Sequence, residues 1–75
     1  MGKHLYAIQF KKGSEVVKAE ASADNPIKAF RDVFPEYVCN PTYDHRKANV
    51  KIVNLTAVRP NELYYSARLK GNGGR

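Results

Sequence analysis

Tryptophan is absent from this 75-residue chain, and cysteine and methionine occur once each. The lone Cys39 excludes an internal disulfide and any zinc site built from several thiolates. The two histidines, His4 and His45, lie far apart in sequence and give no spaced ligand pair, so no metal and no cofactor is expected. No apolar run approaches the ~18 residues a membrane-crossing helix needs, so no membrane association is expected. Behind Met1-Gly2-Lys3-His4 the apolar stretch is short and broken at Gln9. It lacks a signal peptide's apolar segment, which makes the cytoplasm the expected location. Glycines build no phosphate-cradling loop: Gly13 stands alone, and Gly71, Gly73 and Gly74 sit at the C-terminus. Cys39 could act as a nucleophile only beside a base such as His45, and a structural, partly buried cysteine is the simpler reading. Asp24, Asp32 and Glu36 read as cap and surface charges. The chain is therefore expected not to be an enzyme.

Acidic residues are few, and they are unevenly placed. Thirteen Lys and Arg against seven Asp and Glu give a net charge of +6. Residues 1–39 carry six cations and five anions, whereas residues 40–75 carry seven cations against Asp44 and Glu62 alone. A field of one sign attracts phosphates or acidic protein surfaces and speeds encounter with them.

Periodicity divides the chain into one small domain, residues 1–70, with a flexible Gly-rich tail at 71–75. His4 to Lys11 alternates and places Tyr6, Ile8 and Phe10 on one face. Lys12-Gly13 is a turn signal, and Glu15 to Ala21 reads as the returning strand, with Ile8 opposite Val17 and Tyr6 opposite Ala19. Asp24 or Asn25 caps a helix that opens with Pro26 and ends near Phe34, before Pro35. Ile27, Phe30 and Phe34 form its buried stripe, while Lys28, Arg31 and Asp32 face water. Residues 35–47 carry two prolines and no period, the signature of a loop. Asn49 to Val58 reads as a strand of awkward parity, because Val50 and Ile52 oppose Val53, Leu55 and Ala57. The last strand, Leu63 to Lys70, alternates cleanly. A loop of about three residues would pair Val53 with Leu69, Leu55 with Ala67 and Ala57 with Tyr65.

These elements predict an α+β fold of order β-β-α-β-β, one short helix packed on a four-stranded, mainly antiparallel sheet. Tyr6, Ile8, Phe10, Val17, Ile27, Phe30, Phe34, Leu55, Tyr65 and Leu69 form the expected core. So small a core leaves the far face of the sheet or an edge strand open to a second copy, so a homodimer is one expectation.

Function is read from basic and aromatic residues. The outer face of the last hairpin is expected to show Asn54, Thr56, Tyr64, Ser66, Arg68 and Lys70, joined by Tyr43, Arg46 and Lys47 from the preceding loop and Arg59 from the turn, with Lys11, Lys12 and Arg75 at the margins. Tyrosine rings stack on bases, and Lys and Arg neutralise phosphates. The first expectation is thus binding of single-stranded nucleic acid or RNA. The alternative is an inhibitor or adaptor, of the phage or plasmid accessory type, that docks on an acidic surface of a partner enzyme through Tyr37, Tyr43 and Arg46. The β-β-α-β-β order, with Arg68-Leu69-Lys70-Gly71 running into Gly73-Gly74, also resembles ubiquitin-like β-grasp proteins. That resemblance implies a conjugated diglycine tail, but Arg75 follows the glycines and Pro35 ends the helix early.

Overall fold

The computed structural model describes residues 3–70; the Gly-rich tail lies outside the described residues. The chain forms β1 (His4–Lys12), β2 (Glu15–Ala23), α1 (Pro26–Val33), β3 (Tyr37–Pro41), β4 (Val50–Asn54) and β5 (Glu62–Leu69). The strands build one antiparallel sheet in the order β2-β1-β4-β5-β3. The α+β class stands, but with five strands, not four.

The first hairpin follows from alternation. Tyr6, Ile8 and Phe10 are buried on the helix-covered face, against Ala21, Ala19 and Val17 of β2. The turn is Gly13-Ser14, one position later than the turn residues alone suggested, so Ile8 faces Ala19 and not Val17. Gly13 has φ 61, and among the described residues no non-glycine residue has positive φ. A two-residue turn with only its first central residue left-handed demands glycine at that place. A Lys12-Gly13 turn would have put lysine there. The shift moves each strand by one position and leaves every side chain on its expected face.

Asn25 caps α1: its Oδ1 accepts the Lys28 amide at 2.8 Å, and Pro26 occupies the first helical position. The Phe34 amide still donates to the Phe30 carbonyl before Pro35 ends the helix. Ala29 and Phe30 are fully buried, with Ile27, Val33 and Phe34 packed beside them. Phe10 sits at the centre of an aromatic cluster, meeting Phe30, Phe34 and Tyr37 edge-on at 5.3, 5.1 and 4.9 Å between ring centroids. Removing the cap by Asn25→Ala is expected to cost about 1 kcal/mol. Urea denaturation followed by circular dichroism measures that cost, and an unchanged midpoint would contradict the role given to Asn25.

The segment expected as loop from Pro35 to Lys47 contains β3. Five residues between two prolines carry too little period to announce a strand. Pro41 is accommodated because β3 is an edge, where a missing amide breaks no ladder bond. β4 is shorter than the expected strand and settles its parity inward at Val50 and Ile52, 2% and 0% exposed. It ends where the Asn54 carboxamide oxygen accepts both the amide and the hydroxyl of Thr56, a turn that competes with further pairing. Residues 55–61 therefore form a long connection, and the last pair of strands aligns Val50 with Tyr65 and Ile52 with Leu63, not Val53 with Leu69. Leu55 and Leu69, expected in the core, are 44% and 49% exposed.

Candidate nucleic-acid interface

Helix α1 packs against β1, β2 and β3 on one side of the sheet. Strand parity sends the other side chains to the opposite, uncovered face. Lys11 leaves β1 on that side, Lys18 leaves β2, Lys51 leaves β4 and Arg68 leaves β5. A shallow depression lined by Ala7, Gln9, Lys18, Glu20, Lys51 and Val53 crosses its centre. A second one adjoins it, bordered by Lys11, His45, Asn49, Lys51 and Tyr64.

The aromatic part of this face depends on how the chain passes from β3 to β4. Both strands pair with β5, on opposite sides of it, so residues 42–49 must cross β5. They cross on the uncovered face at Tyr64, where the His45 imidazole lies 4.0 Å from the phenol ring with planes 31° apart. Thr42 donates its amide to the Tyr64 carbonyl at 3.2 Å, fixing the start of the crossing. Asp44 then organises the turn: its Oδ1 accepts the Arg46 amide at 3.0 Å, and its carbonyl accepts the Lys47 amide at 2.9 Å. At the far side, the Asn49 carboxamide accepts the Ala67 amide at 2.8 Å and donates to the Ala67 carbonyl at 2.9 Å. That side chain stands in for a strand residue just where β4 begins.

Charges on the face are partly matched. Glu62 lies 3.5 Å from the Lys51 ammonium and accepts a hydrogen bond from the Tyr64 hydroxyl. The Tyr64 hydroxyl, and after it Lys51, holds the Glu62 carboxyl below its ordinary range. The same hydrogen bond to Glu62 raises the Tyr64 phenol. Glu62 thus links the Tyr64 hydroxyl to Lys51 on this face. Lys11, Lys18 and Arg68 make no ion pair among the described residues.

Of the residues singled out from sequence, Tyr64 and Arg68 lie on this face of β5, with Ser66 between them. Tyr43, Arg46 and Lys47 belong to the crossing segment; Tyr43 is fully exposed, and Arg46 bonds Asp44 at 3.4 Å. Two others lie apart. Arg59 sits in the connection before β5, and Lys70 lines a depression beside Lys28 and Arg31 on the helix side. Lys70 thus lies beside helix-side cations, although strand parity put it together with Arg68. Tyr37 is packed on Phe10 with Lys12 over its ring at 5.8 Å, so it shares no surface with Tyr43 and Arg46. Sequence reasoning passed over His45 as a stacking group and Lys18 and Lys51 as face residues. The alternation of β2 marks Lys18 as outward; nothing local marks His45.

Cys39 lies on the buried face of β3, 5% exposed, and burial pushes its thiol up to about 11. His45 is on the opposite face, so no Cys–His pair forms, and no group of three metal-ligating side chains occurs among the described residues. At pH 8 the folded protein is expected to react with a disulfide reagent roughly a hundredfold more slowly than a free thiol, from thiolate fraction alone. Equal rates in buffer and in urea would contradict this burial. The folded thiol titrates above the unfolded one, so ionisation of the unfolded chain lowers stability as pH rises past about 9.

No helix among the described residues is long and apolar enough to cross a membrane. Comparison of the chain with protein families, curated proteins and solved structures finds no significant match.

Proposed function

We propose that this protein binds single-stranded nucleic acid on the uncovered face of its sheet. The observation that carries the reading is one arrangement: the His45–Tyr64 stack on the same sheet face as Lys11 and Arg68, which make no ion pair among the described residues. His45 covers one side of Tyr64 and is itself exposed, so the imidazole offers the next stacking surface to a base. Lys11 and Arg68 lie on that face at strand spacings, suited to phosphates of a strand laid across the sheet. Arg46 and Lys47, on the segment that carries His45, add cations at the margin.

An open sheet face with an exposed aromatic stack favours splayed, unpaired bases over a duplex. Titration of a labelled single-stranded oligonucleotide at several salt concentrations tests the reading. Binding is expected to weaken steeply as salt rises, with a matching duplex bound less tightly. Failure to bind at low salt, or binding indifferent to salt, would overturn it.

A further inference from the structure

β2 is the outermost strand on one side of the sheet, nine residues long, without proline and without a bulge against β1. Such an edge is normally blunted, because its free amides and carbonyls template pairing with another chain. Lys11 donates its amide to Asn49, and the Leu5 carbonyl accepts from Leu55, so odd-numbered residues of β1 turn their main chain toward β4. The even-numbered ones therefore bond β2 through Val17, Ala19 and Ala21. Val16, Lys18, Glu20 and Ser22 are left with main-chain groups directed outward.

We propose that this edge pairs antiparallel with β2 of a second copy, about a two-fold axis at Ala19. In that register Lys18 stands opposite Glu20 of the second copy and Glu20 opposite its Lys18, each pair exchanging main-chain hydrogen bonds. Val16 meets Ser22, and on the helix side Val17 meets Ala21 while the two Ala19 residues meet at the axis. The charge pattern selects this register. Sliding by one ladder step in either direction sets Lys18 against Lys18 or Glu20 against Glu20, which is unfavourable directly across strands. Odd slides would oppose outward groups to inward ones. Within the chain Lys18 and Glu20 lie opposite Gln9 and Ala7, and neither makes an ion pair among the described residues. Their charges are complementary to a second edge of the same sequence, which is the condition for an isologous interface. Small residues at 19 and 21 let the two edges approach. Both helices then lie on one side and both uncovered faces on the other, a continuous sheet with five strands from each copy.

Sedimentation velocity on the whole chain, without nucleic acid, tests this independently of the function proposed above. The unaltered protein is expected to dimerise with rising concentration. Lys18→Glu alone and Glu20→Lys alone each set like charges across the axis, and dimerisation should weaken roughly tenfold or more. An equimolar mixture of these two variants restores both opposite-charge pairs and should form the heterodimer. The double variant Lys18→Glu/Glu20→Lys should dimerise by itself. Circular dichroism of each variant confirms the fold. An unaltered protein that stays monomeric at every soluble concentration overturns the proposal, as do single variants that dimerise like it or a mixture that fails to associate.

Discussion

Phe30→Ala is expected to remove about 3–5 kcal/mol of stability, a large share of what this chain has. Phe30 is fully buried between α1 and the sheet, with Phe10 at 5.3 Å and Phe34 at 5.0 Å between centroids. Truncating a buried phenylalanine costs about 3–5 kcal/mol through lost transfer energy and the cavity left behind. A chain of this length has about 4–11 kcal/mol of stability in total, so one residue removes a large share. Helix α1 is short and depends on packing for its existence, so loss of Phe30 also releases Ile27 and Phe34. Leu55→Ala is the matched control: leucine there is 44% exposed in the β4–β5 connection, and its loss should cost less than about 1 kcal/mol. Urea denaturation of both variants distinguishes them. Equal losses would mean that the core lies elsewhere than on the helix side of the sheet.

Lys11→Ala/Arg68→Ala is expected to reduce both single-strand affinity and its dependence on salt. Each phosphate contact to a single strand adds about 0.7 to the slope of log affinity against log salt, so losing two should lower it by about 1.4. At about 0.1 M salt the same loss corresponds to roughly 25-fold weaker binding. Lys28→Ala/Lys70→Ala removes the same formal charge from the helix side. If the uncovered face is the site, this control should bind nearly as well as the unaltered protein. His45→Ala separates stacking from charge: a lost base stack costs about 1–3 kcal/mol with the slope little changed. Equal weakening by the two charge pairs would sink the placement of the site, because binding would then follow net charge alone.

The residues of that site differ in how much local pattern announced them. Tyr64 and Arg68 alternate with Leu63, Tyr65 and Ala67, and in the structure they stand opposite that buried side. Lys18 was legible in the same way, since Val17 and Ala19 flank it on the inward side of β2. Lys51 was not, because Val50-Lys51-Ile52-Val53 satisfies either parity until β1 and β5 close around Val50 and Ile52. Arg68 and Lys70 alternated together, yet Lys70 lines the depression beside Lys28 and Arg31, although its amide still donates to the Glu36 carbonyl.

Sequence alone was sufficient for the faces of β1, β2 and β5, for the start of α1 at Pro26 and for its end before Pro35. Each depends on neighbours within a few residues, through side-chain alternation, capping hydrogen bonds and proline sterics. Tertiary structure decided the rest: that Tyr37–Pro41 is a strand, that β4 lies between β1 and β5, and that residues 42–49 lay His45 on Tyr64. Those outcomes follow from competition among distant surfaces for one core. Which strand pairs with which is settled by total apolar burial and hydrogen-bond satisfaction, and no short stretch of chain carries that sum.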